Sequence, residues 1–293
     1  MSRLDDYIKL INNKLIDYLP GRNNLQKNVV EAMEYSLNGN GKRIRPLLVL
    51  EFCRACGGDI NKALPFACAV EMVHTYSLIH DDLPCMDNDD FRRGKPSNHV
   101  VYGEAMALLA GDALLTRAFE IILSPETIKS VGANVVAEAA ACLADNIGVY
   151  GMIGGQVIDM ESENKSVSKD VLDSMHSLKT GALIVASAKI GCIIAGADKS
   201  KIEAATEYAK SIGVAFQIVD DILDVTSSTE KLGKQVRKDQ QENKSTYVSI
   251  MGMEKSKKTV LDLTDKALSA LLKFDSNENL LKDLAVSLAS RDR

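Results

Sequence analysis

This sequence predicts an all-α protein, folded as a single large helical bundle. Three observations carry that reading. Glycine and proline are scarce, 19 and 6 among 293 residues, and fall mainly at segment boundaries. No segment sustains the alternation of apolar and polar residues that a half-buried strand needs. Several long stretches are apolar on most faces, which places them inside a bundle rather than on its surface. No linker rich in Pro, Gly or Ser divides the chain and no short repeat recurs, so residues 1–293 are read as one domain.

The helices are expected at 3–18, 24–37, 43–56, 60–83, 103–122, 128–149, 167–195, 200–225, 255–273 and 277–291. Pro20-Gly21 closes the first, and the Asn38-Gly39-Asn40-Gly41 turn separates the second from the third. Gly57-Gly58-Asp59 precedes the fourth, and Gly94-Lys95-Pro96 lies between the fourth and the fifth. The segments 60–83, 103–122 and 167–195 are the most uniformly apolar and are expected in the interior.

Hydrophobic residues make up 46% of the chain and charged residues 26%, with a net charge of -5. That balance excludes a disordered, collagen-like or small disulfide-stapled chain. Mild acidity argues against general nucleic-acid binding, so an anionic ligand must be met by locally grouped basic residues. Met1 to Asp6 lacks the apolar segment of a secretory signal, and 181–197 is short for a membrane span and carries Lys189. A cytoplasmic chain is expected, with Cys53, Cys56, Cys68, Cys85, Cys142 and Cys192 as reduced, mostly buried thiols. Cys53 and Cys56 form a C-x-x-C pair without a second pair at zinc-site spacing, and are read as packing residues.

The chemistry is concentrated in two aspartate clusters. Asp81, Asp82, Asp87, Asp89 and Asp90 stand within ten residues, at the end of the apolar stretch 72–79 and ahead of Arg92 and Arg93. So many acids at the end of a buried helix repel one another unless cations sit among them. Hard carboxylate oxygens suit Mg²⁺ or Ca²⁺, and Mg²⁺ favours one or two carboxylates together with phosphate oxygens. Planar guanidinium groups match diphosphate oxygens. The second cluster is Gln217, Asp220, Asp221 and Asp224. Taken from Gln217, the offsets +3, +4 and +7 place all four on one helical face. Three acids on an apolar helix are costly to bury without a metal or a cationic partner.

Basic residues gather at Lys42-Arg43-Ile44-Arg45, at Lys179-Thr180-Gly181, and at Lys234 and Lys244. A Walker-type phosphate loop ending at Lys244 would need glycines where Lys238 and Asn243 stand, and 151–155 lacks the dinucleotide fingerprint. Nucleotide binding is therefore rejected. His74 shares a helical face with Ser77 and Asp81, at offsets -7 and -4 from the aspartate. His80 and His99 are read as structural.

Taken in order, these motifs resemble those of the trans-isoprenyl diphosphate synthases, in particular the bacterial farnesyl diphosphate synthase type. The resemblance runs from Gly41 to the C-terminal arginines. It rests on Gly41-Lys42-Arg43-x-Arg45-Pro46, Asp81-Asp82-x4-Asp87 with Arg92-Arg93-Gly94, Gly154-Gly155-Gln156, Lys179-Thr180-Gly181, Phe216-Gln217-x-x-Asp220-Asp221-x-x-Asp224 and Lys244-Ser245-Thr246-Tyr247. It implies the isoprenoid synthase fold, a bundle around a central cavity with the two aspartate motifs across its mouth, usually as a homodimer.

The resemblance also implies roles. Asp81, Asp82 and Asp87, with Asp220, Asp221 and Asp224, would hold about three Mg²⁺ on the allylic diphosphate. Arg92, Lys179, Thr180, Gln217, Lys234 and Lys244 would contact that substrate. Lys42, Arg45, His74 and Arg93 would hold isopentenyl diphosphate. Asp81, Asp82, Asp87, Lys179, Thr180, Gln217 and Asp220 form the catalytic set, and Thr180 and Gln217 could steady the allylic cation. The implied reaction is a head-to-tail (1'-4) condensation giving farnesyl diphosphate.

Tyr76 lies five residues before Asp81, about 7.5 Å down a helix at 1.5 Å per residue. In the family a bulky ring there stops elongation at fifteen carbons, with Ser77 leaving space beside it. Geranylgeranyl (C20) or geranyl (C10) synthesis and a catalytically silent regulatory subunit are the alternatives. The chain departs from the family where Arg237 and Asn243 replace glycines. Arg291 and Arg293 resemble a closing C-terminal tail.

Overall fold

The computed structural model describes residues 3–23, 25–39, 41–226, 245–274 and 279–290. It is built almost wholly of helices, as the all-α reading requires. The chain divides into two compact units, one of residues 1–50 and 59–140, the other of residues 51–58 and 141–293.

The first unit holds α1 (Arg3–Asp17), α2 (Lys27–Leu37), the first part of α3 (Ile44–Ala55), α4 (Ile60–Asp81), α5 (Asn98–Tyr102), α6 (Glu104–Ile122), α7 (Pro125–Val131) and the start of α8 (Ala133–Ile147). Helix α4 is its axis. Asp59 starts it as N-cap, its carboxylate accepting from the Asn61 N–H at 2.9 Å. The helix is then buried nearly all round, from Ala63 to Ile79. Its long partner α6 turns Ala107, Ala110, Gly111, Leu114 and Ala118 inward. Small residues there let the two backbones approach closely.

Between α4 and α5 the chain makes a minimal hairpin, β1 (Phe91–Arg92) against β2 (Lys95–Pro96). No strand was expected here. Arg93 and Gly94 form the two-residue turn with φ of 55° and 77°, the pattern of a type I′ turn, whose twist suits paired strands.

The second unit holds the end of α3, the rest of α8, α9 (Met152–Ser162), α10 (Lys169–His176), α11 (Ala182–Ile194), α12 (Lys199–Thr226), α13 (Tyr247–Met251), α14 (Met253–Ala270) and α15 (Asn279–Ala289). Helix α12 runs for 28 residues and packs on α11, α14 and α15. Leu172, Met175, Ile218, Val219, Leu223, Tyr247 and Val260 form one core cluster. A second centre joins Phe52, edge-on to Tyr208 at 5.4 Å, with Phe274. All six cysteines are free thiols, with the Cys56 and Cys192 sulfurs 3.7 Å apart.

The expected helix boundaries are revised in several places. The stretch 128–149 is two helices, broken at Gly132, where φ is 99°. The stretch 167–195 is also two, α10 and α11, joined by a π-helical turn at Ser177–Gly181. Helices α5, α9 and α13 were not anticipated. Gly154 and Gly155 lower the propensity of α9, and packing overrides that local preference. By length and composition, 133–162 and 169–194 could cross a membrane; the first is interrupted between α8 and α9, and 67% of the second's apolar window is buried inside the protein.

Tyr208 tests the second unit's centre. Its hydroxyl is buried and donates to the Leu281 carbonyl at 2.7 Å, tying α12 to α15. Tyr208→Phe leaves that carbonyl without its donor and is expected to lower unfolding free energy by about 1–2 kcal/mol, read from urea denaturation.

Candidate active site

In the first unit, α4 delivers three chemistries along its length. Glu71 and His74 stand one turn apart in the middle, Tyr76 and Ser77 follow, and Asp81 ends the helix. The loop beyond curls back on that end: the Asp87 N–H donates to the Asp81 carbonyl at 2.8 Å, and the Asn88 N–H to Leu83 at 3.2 Å. Asp81 and Asp87 are thereby brought to one place by backbone bonds.

Asp82 behaves differently. Its side chain is only 3% exposed, and one carboxylate oxygen accepts from both Arg92 Nε (2.8 Å) and Arg92 Nη2, which also reaches Asp89. Burial nevertheless pushes the Asp82 carboxyl above its ordinary range, against the pull of Arg92. In this geometry Asp82 anchors Arg92, so two residues expected at the allylic substrate are engaged with each other.

The basic group of the first unit assembles around His74. Arg45 Nη1 lies 3.3 Å and Arg93 Nη2 3.2 Å from His74 Nε2. A guanidinium can only donate, so Nε2 is unprotonated and accepts both. Burial and the flanking Arg45 and Arg93 hold the His74 pKa well below its ordinary value. Burial, reinforced by Arg93 and opposed by Glu71, brings Arg45 down to about 10, and its buried Nε has no partner. Lys42 is exposed on a cleft of about 370 Å³ that Ile8, Asn12, Gly39 and Gly41 also line. A Cβ on Gly41 would sit 2.6 Å from Arg93 Nη1 and 3.1 Å from Arg43 Nη1, so a side chain there would push the Arg93 guanidinium aside. The structure thus brings Arg45, His74 and Arg93 together.

Tyr76 is buried, edge-on to His80 at 5.6 Å, and its hydroxyl has no hydrogen-bond partner. Burial and the nearby Asp81 push its pKa up to about 12. Ser77 bonds the His74 carbonyl at 2.9 Å. His80 Nε2 lies 3.0 Å from the Leu108 carbonyl and serves packing.

In the second unit, the π turn presents Lys179 and Thr180. Such a turn interrupts the regular ladder and re-aims side chains, a recurrent feature of functional sites. Lys179 Nζ pairs with Asp159 at 2.5 Å. Thr180 donates to Gln217 Oε1 at 3.1 Å, and Gln217 Nε2 donates to Asp220 at 3.3 Å. Thr180, Gln217 and Asp220 are thus one chain of polar contacts. Asp221 and Asp224 are buried, and Asp221 accepts the Tyr247 N–H at 2.6 Å, which fixes the start of α13. Lys234, Arg237, Lys244, Asn243, Arg291 and Arg293 lie outside the described residues.

Two residues of this unit escaped the sequence reading. Asp159 stands one turn after Gly155 on an unanticipated helix, four residues on. His176 stacks on Tyr247 at 5.4 Å and bonds Gln217; burial, aided by Lys179, brings it down to about 4. The Gly154-Gly155-Gln156 motif acquires a physical meaning here. A Cβ on Gly155 would meet Lys179 N at 2.1 Å and the Leu178 carbonyl carbon at 2.7 Å, so α9 packs directly on the backbone of the π turn. The Gln156 amide nitrogen is buried without a partner.

Among the described residues no three metal-ligating side chains close into a cluster. The donors at both motifs are hard carboxylate oxygens, and Mg²⁺ needs only one or two of them when a diphosphate supplies the rest. The residues present fit that ion.

Carboxylates with guanidinium, ammonium and amide donors beside them on an all-α scaffold make up the class of helical proteins equipped for anionic ligands. Comparison with known proteins shows the family. Residues 26–283 match the polyprenyl synthetase family, and the chain belongs to that family of prenyltransferases. It is 44% identical over 296 residues to the farnesyl diphosphate synthase of Bacillus subtilis, covering 99% of this chain and 98% of that one. It is 46% identical over 265 residues to a geranylgeranyl diphosphate synthase of Cyanophora paradoxa, covering 90% and 88%. The apo crystal structure of an FPP/GFPP synthase from Zymomonas mobilis superposes with a TM-score of 0.88 at 36% identity, covering 98% of this chain and 97% of that one.

Two expectations follow. Gly155→Ala must displace the Lys179 backbone and is expected to cut condensation turnover at least tenfold while leaving the helical circular dichroism unchanged. His74 and His176 are held neutral when folded, so below pH 6.5 the folded chain binds fewer protons than the unfolded one. Their stabilisation is complete above pH 6.5 and is lost as pH falls through their folded pKa values, that of His176 being about 4. The urea midpoint should therefore drop between pH 7.5 and 5, and by less in His176→Gln.

Proposed function

We propose that this prenyl diphosphate synthase makes farnesyl diphosphate. It condenses isopentenyl diphosphate head-to-tail (1'-4) first with dimethylallyl and then with geranyl diphosphate, to the 2E,6E product. The observation that carries the chain length is Tyr76: a buried ring with an unpartnered hydroxyl, five residues before Asp81 on the same helix. Geranylgeranyl diphosphate synthesis is the second reading, favoured by the likeness to the Cyanophora enzyme.

The residues divide the work by charge. Asp81 and Asp87, with Asp220 and Asp224, are assigned to Mg²⁺ on the allylic diphosphate; Asp82 and Asp221 support them from buried, hydrogen-bonded positions. Bound Mg²⁺ would neutralise the charge developing on the departing diphosphate. Arg92 and Lys179 add fixed positive charge to that same leaving group, as do Lys234 and Lys244 in this reading. Preorganised charge of this kind acts where the transition state gains charge. Thr180 and Gln217 turn polar oxygens toward the carbon centre that becomes cationic. Lys42, Arg45, His74 and Arg93 hold isopentenyl diphosphate so that its double bond meets that centre. The released diphosphate takes the proton lost from the adduct.

The proposal includes a homodimer in the cytoplasm, supported by the exposed Val100, Val101, Leu108 and Leu109 on α5 and α6, apolar side chains that a second copy could cover.

Purified protein with Mg²⁺, isopentenyl diphosphate and each allylic starter decides the matter by product mass. Fifteen carbons from the two shorter starters supports the proposal; chiefly twenty carbons overturns the chain length and leaves the chemistry. Tyr76→Ala is expected to shift the product toward twenty carbons or more, and chelation of divalent metal to abolish turnover by over a hundredfold.

A further inference from the structure

Arg43 stands between Lys42 and Arg45 in the sequence yet plays a different part from either. Its side chain is 3% exposed and turned into the first unit. Nε donates to Asn12 of α1 at 2.8 Å, Nη1 to Glu71 of α4 at 2.6 Å, and Nη2 to the Leu37 carbonyl ending α2 at 2.5 Å and to the Gly39 carbonyl at 3.3 Å. One guanidinium thus ties three helices and the turn that leads into Lys42. Its backbone φ is 51°, in the left-handed region that a long side chain seldom adopts. A conformation of that cost persists only where the surroundings over-determine it, which is common at ligand sites.

Glu71 is the other half of the pair, with its side chain 2% exposed. It lies three residues before His74, so it sits beneath the place where Arg45 and Arg93 converge on the imidazole. Its negative charge favours the charged form of both arginines, against burial and the repulsion of neighbouring arginines. Arg93, too, adopts a left-handed backbone, φ 55°. Gly41 lies between Arg43 and Arg93, where an added methyl group would displace the Arg93 guanidinium. Two strained arginines, one buried carboxylate and one close-packed glycine therefore form a single frame.

We infer that Arg43 and Glu71 are positioning residues: their buried pair locks the 41–45 turn so that Lys42, Arg45, His74 and Arg93 form a preorganised diphosphate site, with Glu71 as its internal counter-charge. The inference rests on the reading that those four residues hold isopentenyl diphosphate. The guanidinium of Arg43 is spent on Asn12, Glu71 and the Leu37 and Gly39 carbonyls, so the pair acts through the turn it holds. Removing one member leaves the other charge buried alone, which is costlier than the pair. The relief of that charge would come from movement of the turn, and so would the loss of affinity.

The test uses Glu71→Gln, which keeps shape and removes charge, and Arg43→Lys, which keeps charge and removes the planar fork. Each is assayed as the full chain, varying isopentenyl diphosphate at saturating geranyl diphosphate and then the reverse. The expected result is a KM for isopentenyl diphosphate raised at least tenfold, with the KM for geranyl diphosphate within twofold and kcat within threefold. A lowered melting temperature with both KM values unchanged, or both KM values raised together, overturns the inference and leaves the pair purely structural. Should either variant fail to fold, Asn12→Ala loosens Arg43 from α1 at an exposed position. It is expected to raise the isopentenyl diphosphate KM about threefold alone, and no change there overturns the inference. A wild-type protein that condenses nothing marks the synthase reading as wrong, whereas an active wild type with unaltered variants marks only this inference as wrong.

Discussion

A carboxylate buried on the apolar helix α4 supports the charged architecture of the first unit. Glu71 meets Arg43 at 2.6 Å and exerts its field on Arg45 and Arg93, which both approach His74. Three guanidinium groups crowded at the end of a hydrophobic core would separate or draw in water without such a counter-charge. Because the pair is buried, its attraction is weakly screened, and it binds α1, the end of α2 and α4 into one frame. The same logic recurs a few turns along the helix. Asp82 is sequestered by Arg92, which leaves Asp81 and Asp87 at the loop's neck, joined through a backbone hydrogen bond.

The second unit adds close backbone packing to a charge pair. Here α9 lies against the π turn so closely that Gly155 admits no side chain, and Asp159 on that same helix reaches Lys179. A lysine held by a carboxylate one helix away keeps its orientation without substrate. Thr180, Gln217 and Asp220 continue the network along α12, while Asp221 is spent on the first residue of α13. Asp220 and Asp221 therefore differ in their contacts although they share a helical face.

The likeness between residues that bind and residues that hold explains what could be read in advance. Arg45, His74 and Arg93 were grouped in advance only by the family resemblance, and the structure brings the three side chains together. The face shared by Gln217, Asp220 and Asp224 was legible from spacing alone. Arg43 and Glu71 were not separable from their neighbours: in the sequence Arg43 is one more cation in a basic run, and Glu71 a lone acid in an apolar helix. Asp159 and His176 were missed for a related reason, since each acts only through a contact far along the chain. The signal available for Glu71 was its cost, an acid within an apolar helix that must have a partner.

By itself the sequence determined the helical class, most of the long helices, and the two concentrations of carboxylate with basic residues beside them. Those follow from local physics: periodicity, propensity and the charge that carboxylates need neutralised. Tertiary structure alone decided which acids face outward and which are tied down, where the 167–195 stretch breaks into a π turn, and which arginine is a strut. Those outcomes depend on burial and on backbones meeting at close range, energies that no residue carries until its partner is packed against it.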